Sequence, residues 1–146
     1  METGMTLTHD HRTELLARAP LLAGVDPEGI AMIAKRVVEV EFPKDAVIAR
    51  QGDVGTGFFL VASGSVRVVR DGATIARIGP GDFFGELSVL DGQPRSAQVV
   101  AETPTVCLAL ASWDFEAIVH ERPDVSLAIM RGLARRLRGL TEAHRH

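Results

Sequence analysis

Between residues 38 and 110 the chain runs as short β-branched segments broken at Pro43-Lys44-Asp45, Gln51-Gly52-Asp53, Ser63-Gly64, Asp71-Gly72, Gly79-Pro80-Gly81 and Glu102-Thr103-Pro104. Proline and glycine at these places end regular structure and favour reversals. Turn signals every ~8 to 12 residues between strand-forming runs belong to a β-sandwich or a jelly-roll barrel. Asp71-Gly72, between residues 66–69 and 73–78, has the composition of a two-residue hairpin turn. No repeat of solenoid length and no low-complexity segment is present.

Helical signals flank this zone. Residues 1–11 read as a disordered tail, and residues 12–37 as an N-terminal helical segment. Within it, Arg12 to Arg18 is amphipathic and broken at Pro20, and a second helix opens with Asp26 as N-cap and Pro27 at the first helical position. Ile30, Ile33, Ala34 and Val37 give that helix one buried stripe. Beyond the strand zone, residues 111–142 read as two helices. Ser112 caps the first, which runs through Phe115, Ile118 and Val119 to a break at Arg122-Pro123. Asp124 caps the second, residues 124–142, in which Val125, Ile129, Leu133, Leu137 and Leu140 recur at spacings of four and three. Arg131, Arg135, Arg136 and Arg138 lie off that stripe, as a solvated face opposing the helix dipole or as a surface for an acidic partner.

With 146 residues, 46% of them hydrophobic, the chain suits one compact core that needs no disulfide or metal. Its single cysteine, Cys107, sits in the apolar run 106–110 and reads as core packing. No apolar stretch approaches the ~18 to 20 residues of a membrane span, and the acidic start has no signal-peptide pattern, so a soluble cytoplasmic protein is expected. A net charge of −3 argues against a generally basic nucleic-acid surface. The strand zone holds no histidine, and His9, His11, His144 and His146 read as tail residues, so no metal site is expected. No nucleophile, base and orienter set can be picked out, so no catalytic residues and no enzymatic activity are expected.

The chemistry concentrates in residues 83–97, Phe-Phe-Gly-Glu-Leu-Ser-Val-Leu-Asp-Gly-Gln-Pro-Arg-Ser-Ala, where one acid and one base stand in an apolar, glycine-punctuated run. Gly85 lets a ligand approach backbone N–H groups closely. Residues 86–90 have helical spacing, and a helix N-terminus there offers N–H groups and positive potential to a phosphate. Pro94 fixes the chain before Arg95, whose planar fork matches two phosphate oxygens, and Ser96 adds a hydroxyl. Glu86 accepts only, which suits a sugar hydroxyl. A ligand carrying a phosphate next to a sugar hydroxyl fits this pair.

This run resembles the phosphate-binding cassette of the cyclic-nucleotide-binding domain family, which includes catabolite-activator-type regulators, kinase regulatory subunits and cyclic-nucleotide-gated channels. Gly52-Asp53, Phe58-Phe59-Leu60-Val61 and Ser63-Gly64-Ser65-Val66, lying upstream in the same order as in the family, resemble its second signature. The resemblance implies an eight-stranded jelly-roll β-barrel with N-terminal helices and two C-terminal helices. It implies ligand contacts from Phe84, Gly85, Glu86, Leu87, Ser88, Arg95, Ser96 and Ala97. Glu86 would hold the ribose end and Arg95 the cyclic phosphate of cAMP or cGMP, bound as a ligand with no cofactor. Ser96, where cGMP-selective eukaryotic members often carry threonine, leans towards cAMP.

Family members use the last helix as a lid over the base or as a dimer seam, so the partners implied are a cyclic nucleotide and either a homodimer mate or another protein. Capping would fall to Leu137, Leu140 and Thr141, although the catabolite-activator branch has a base-contacting threonine where this chain has Leu140. Ligand binding is thus expected to shift that helix between two states. Direct DNA binding is not expected, since a helix-turn-helix would have to follow the helix over 124–142 and the sequence stops at His146. The alternatives left open are an interaction module with a degenerate cassette, or the sensor fragment of a longer regulator or channel.

Overall fold

The computed structural model of the chain describes residues 7–55, 57–85 and 92–143, the last four by their backbone alone. In chain order it comprises α1 (His9–Arg18), a 3-10 turn (Pro20–Leu22), α2 (Pro27–Arg36), and eight strands. These are β1 (Val38–Phe42), β2 (Val47–Ala49), β3 (Gly57–Ser63), β4 (Val66–Arg70), β5 (Ala73–Ile78), β6 (Phe83–Phe84), β7 (Gln98–Ala101) and β8 (Thr105–Ala111). Two helices follow, α3 (Ser112–Glu121) and α4 (Pro123–Ala143).

The strands form two antiparallel four-stranded sheets, ordered β1-β8-β3-β6 and β2-β7-β4-β5. The arrangement is a jelly-roll-like sandwich, and the expected barrel is not closed: among the described residues no ladder joins the sheets. At the corner between β1 and β2, Asp45 takes φ 72° as the chain passes from the edge of one sheet to the edge of the other. The two edges are left facing one another without pairing. The β4–β5 hairpin turns through Asp71 and Gly72, with φ of 52° and 83°, as the Asp-Gly signal requires.

Strand alternation divides the core. Phe58 and Leu60 of β3, Phe83 of β6 and Leu108 and Leu110 of β8 pack under the helices with Leu16, Leu22, Ile30, Ile33, Ile118, Val125 and Ile129. Between the sheets, Val61, Val66, Phe84, Val99 and Cys107 form a smaller cluster. Cys107 is fully buried as expected, and desolvation pushes its thiol up to about 12.

The helices depart from the sequence reading at their ends. α1 begins at His9, capped by Thr8 through the His11 N–H, so His9 to His11 are helical and not part of a disordered tail. α2 is capped as expected, with Asp26 Oδ1 accepting from the Gly29 N–H at 2.8 Å. Ser112 is the first residue of α3 and not its cap; the N-cap is Ala111, which is held in the ladder opposite Gly57. Asp124 lies in the first turn of α4, and its carboxylate is taken by Arg122 at 2.7 Å. α4 packs on α3 and on the Pro20–Leu22 turn, where a Cβ at Gly132 would lie 2.6 Å from the Leu21 carbonyl oxygen. Its stripe is buried at Val125 and Ile129 and half-buried at Leu133, and the helix then runs on with Leu137 exposed.

Candidate functional site

The two sequence signatures, separate in the chain, meet in space. The Gly52 N–H donates to the Arg95 carbonyl at 2.8 Å, the Arg95 N–H donates to the Asp53 carbonyl at 2.7 Å, and Val54 bridges Pro94. Proline at 94 offers no N–H of its own, so the clip is made by its neighbours. These backbone bonds aim the half-buried Arg95 side chain at the start of β3, where Nη2 donates to the Gly57 carbonyl at 2.8 Å.

Gly85 completes this corner. Its φ is +85°, a left-handed conformation that costs an L side chain energy, and a Cβ there would stand 2.6 Å from Nη1 of Arg95. The cassette glycine is therefore required twice, for its backbone and for the guanidinium that lies over it.

Arg95 lines a cavity of about 430 Å³, within the range of small-molecule sites. The cavity sits where edge strands β1 and β2 face each other unpaired, walled by Val38 of β1, Val47 and Ala49 of β2, Phe59 of β3 and Ala109 of β8. Its far wall is the start of α3, with Trp113 and Asp114. Three arginines, Arg36, Arg50 and Arg95, stand against two aspartates, Asp53 and Asp114, among the described lining residues. One arginine is already matched, since Arg36 Nη1 lies 3.1 Å from Asp114 Oδ1. Arg50, Arg95 and Asp53 leave a net +1 among the other described lining residues, a balance that suits an anion.

The other expected site residues fall as follows. The Phe84 ring is buried between the sheets, stacked on Phe59 with centroids 5.0 Å apart and planes 15° apart, so it supports the cavity wall from behind. Ser96 is exposed; Arg70 Nε donates to its carbonyl at 3.1 Å, and neither Ser96 nor the half-buried Ala97 lines the cavity. Glu86, Leu87 and Ser88, with the short helix expected over 86–90, lie outside the described residues, as do the side chains of Leu140 and Thr141. Leu137 is 65% exposed and does not line the cavity, so in this conformation it caps nothing there.

Sequence reasoning missed Arg50, Val38, Val47 and the α3 wall. Only Trp113 left a signal, as the single tryptophan beside a helix start. Among the described residues no three potential metal-ligating side chains cluster, and no helix is long and apolar enough to cross a membrane.

Comparison with known proteins agrees with this geometry. Over 135 residues the chain is 38% identical to a CRP-like cAMP-activated global transcriptional regulator of Mycobacterium tuberculosis, a match covering 86% of this chain and 58% of the regulator. The N-terminal domain of a transcriptional regulator from Streptomyces coelicolor superposes with a TM-score of 0.75 at 34% identity, covering 90% of this chain and 94% of that one. Thermus thermophilus catabolite activator protein also gives a TM-score of 0.75, at 38% identity over 86% of this chain and 61% of that one. The chain spans 58% of the length of the first curated relatives it matches. The family model described as "Cyclic nucleotide-binding domain" matches residues 39–122, from β1 to the end of α3, and the chain belongs to that family.

Proposed function

We propose that this chain is a regulatory sensor without catalytic activity of its own, and that it binds a cyclic nucleotide, cAMP in preference to cGMP, in the cavity between the sheets. The observation that carries the reading is the Arg95 guanidinium, held over Gly85 and lining a cavity of about 430 Å³. Arg95 pairs with the cyclic phosphate through charge-assisted hydrogen bonds. Glu86 accepts from the ribose hydroxyl. The preference for cAMP is supported by Ser96 and by the name of the mycobacterial relative.

Binding is coupled to α4. That helix rests on α3, whose first turn forms the cavity's far wall, and on the Pro20–Leu22 turn, so a change at the wall reaches α4 through packed contacts. The ligand biases the helix only by its different affinity for the two positions. The relatives named as transcriptional regulators are longer chains, and we assign to this stretch the ligand-binding part alone.

Calorimetric titration with cAMP and with cGMP tests the reading. Micromolar or tighter binding, stronger for cAMP, is expected, and Arg95→Ala should weaken it by ~2–4 kcal/mol. Equal affinity for wild type and variant would remove Arg95 from the site. A second reading, an interaction module independent of nucleotide, is favoured by the exposed apolar residues Leu127, Met130 and Leu137 on α4 and by a groove of about 450 Å³ beside Met130 and Leu133. That helix face suits a second copy of the chain or a partner protein. Absence of heat with both nucleotides, together with self-association by sedimentation, would support it.

A further inference from the structure

Eight large hydrophobic side chains are exposed among the described residues, and four of them, Val38, Val47, Val54 and Trp113, line the one cavity that also holds Arg95. Apolar surface left open to water in this concentrated form marks a binding site. Its chemistry is two-ended. Arg95 and Arg50 favour an anion, and the indole of Trp113, 65% exposed, offers a flat apolar face to the same cavity.

The mount of this indole is fixed. Trp113 lies in the first turn of α3, two residues after Ala111, which pairs in the ladder with Gly57. The Gly57 carbonyl in turn accepts the Arg95 bond at 2.8 Å. The next residue, Asp114, is tied at 3.1 Å to Arg36 at the end of α2. The Arg95 guanidinium bond and the backbone that carries Trp113 thus converge on the same pair of strand ends, Gly57 and Ala111.

We propose that Trp113 is a stacking residue for the base of the bound nucleotide, so that the base is held by the start of α3. The inference rests on the nucleotide reading of the cavity. Stacking reads the face of a ring and not its edge, so this contact holds adenine and guanine alike and smaller pyrimidines less well. Any preference between cAMP and cGMP then arises elsewhere in the site.

The chain has one tryptophan, so intrinsic fluorescence reports on this residue alone. The test titrates the full chain with cAMP and with a ribose cyclic phosphate lacking the base, following emission and heat together. Expected results are a change in Trp113 emission with cAMP, an affinity for cAMP about tenfold weaker in Trp113→Ala, and recovery of most of that loss in Trp113→Phe. The base-free ligand should bind wild type and Trp113→Ala equally, whereas Arg95→Ala should weaken both ligands. An exposed side chain can be truncated without emptying the core, and circular dichroism checks that the variant folds. Heat from cAMP with unchanged emission, and a Trp113→Ala affinity within twofold of wild type, would overturn the stacking role while leaving the nucleotide site standing. If wild type binds neither nucleotide, the site assignment falls and the stacking role falls with it.

Discussion

The two faces of the β1-β8-β3-β6 sheet are built from alternate residues of the same strands and end in opposite conditions. On the helix face, Phe58, Leu60, Leu108 and Leu110 meet α1 to α4 so closely that the space left among them is about 10 Å³, too little to be more than a packing defect. On the other face, Phe59 and Ala109 border a cavity of about 430 Å³. The difference follows from what each face packs against. Helices can slide and tilt to close a gap, whereas the second sheet is held off at one edge by the corner between β1 and β2 and by the Arg95 clip. One face therefore stabilises the fold, and the other keeps space for a ligand.

The largest effect should come from the closed face. Leu60 is fully buried under the helices, and Leu60→Ala should cost about 2–5 kcal/mol in urea unfolding, the sum of lost transfer energy and an unfilled cavity. Calorimetry at a temperature where the variant is folded should give nucleotide affinity within twofold of wild type. A proportionate loss of affinity would mean that the two faces do not divide the work.

Gly85→Ala acts on the open face. Positive φ costs alanine about 1–2 kcal/mol, which unfolding would read as lost stability. The new Cβ must also displace the Arg95 guanidinium, so affinity should fall together with stability, which separates it from Leu60→Ala. A smaller change is expected from Phe59→Leu, which removes the stack on Phe84 and the edge contact with Phe42, whose centroid lies 6.3 Å away. It should cost about 1 kcal/mol in stability and weaken nucleotide binding, because Phe59 lines the cavity.

What was legible in the sequence was what the chain settles locally. The α2 cap at Asp26, the Asp71-Gly72 hairpin and the buried stripe of Ile30, Ile33 and Ala34 depend on neighbours a few residues away, and each stands as read. The Gly85 and Arg95 corner was legible because glycine and proline advertise unusual backbone. Helix starts set by tertiary pairing were not legible. Ser112 looks like a cap, but Ala111 is held opposite Gly57 by the β3–β8 ladder, and the helix begins at Ser112, one residue earlier than a Ser112 cap would place it. The spacing of the α4 stripe was correct, yet spacing says nothing of where the supporting body ends, and Leu137 extends beyond it. The lining of the cavity unites Val38, Arg50 and Trp113 from three distant segments, and no local pattern joins them.

The smallest effect should come from the helix side at its surface, where acid loosens a clasp without touching the cavity. Arg122, at the junction of α3 and α4, reaches Asp26 at 2.7 Å, Glu28 at 2.8 Å and Asp124 at 2.7 Å, tying that junction to the start of α2. The Gly29 N–H and then Arg122 hold the Asp26 carboxyl below its ordinary value of 3.8, and Arg122 does the same for Asp124. A carboxyl whose value is lowered by folding contributes stability that is present above 3.8 and is lost as pH falls through the lowered value. These two groups should therefore contribute in full, and without pH dependence, between neutrality and about pH 4, and the thermal midpoint should drop below that as they protonate. In Arg122→Ala the partners return towards their ordinary value, so this part of the acid dependence becomes shallower. Asp26→Asn retains an oxygen for the Gly29 N–H and sheds only the ion pair, so its midpoint should lie between those of wild type and Arg122→Ala. The clasp shares no residue with the cavity lining, so a change in nucleotide affinity at neutral pH in either variant would come through the α3–α4 junction, the route by which binding is coupled to α4, and unchanged affinity in both would argue against that route.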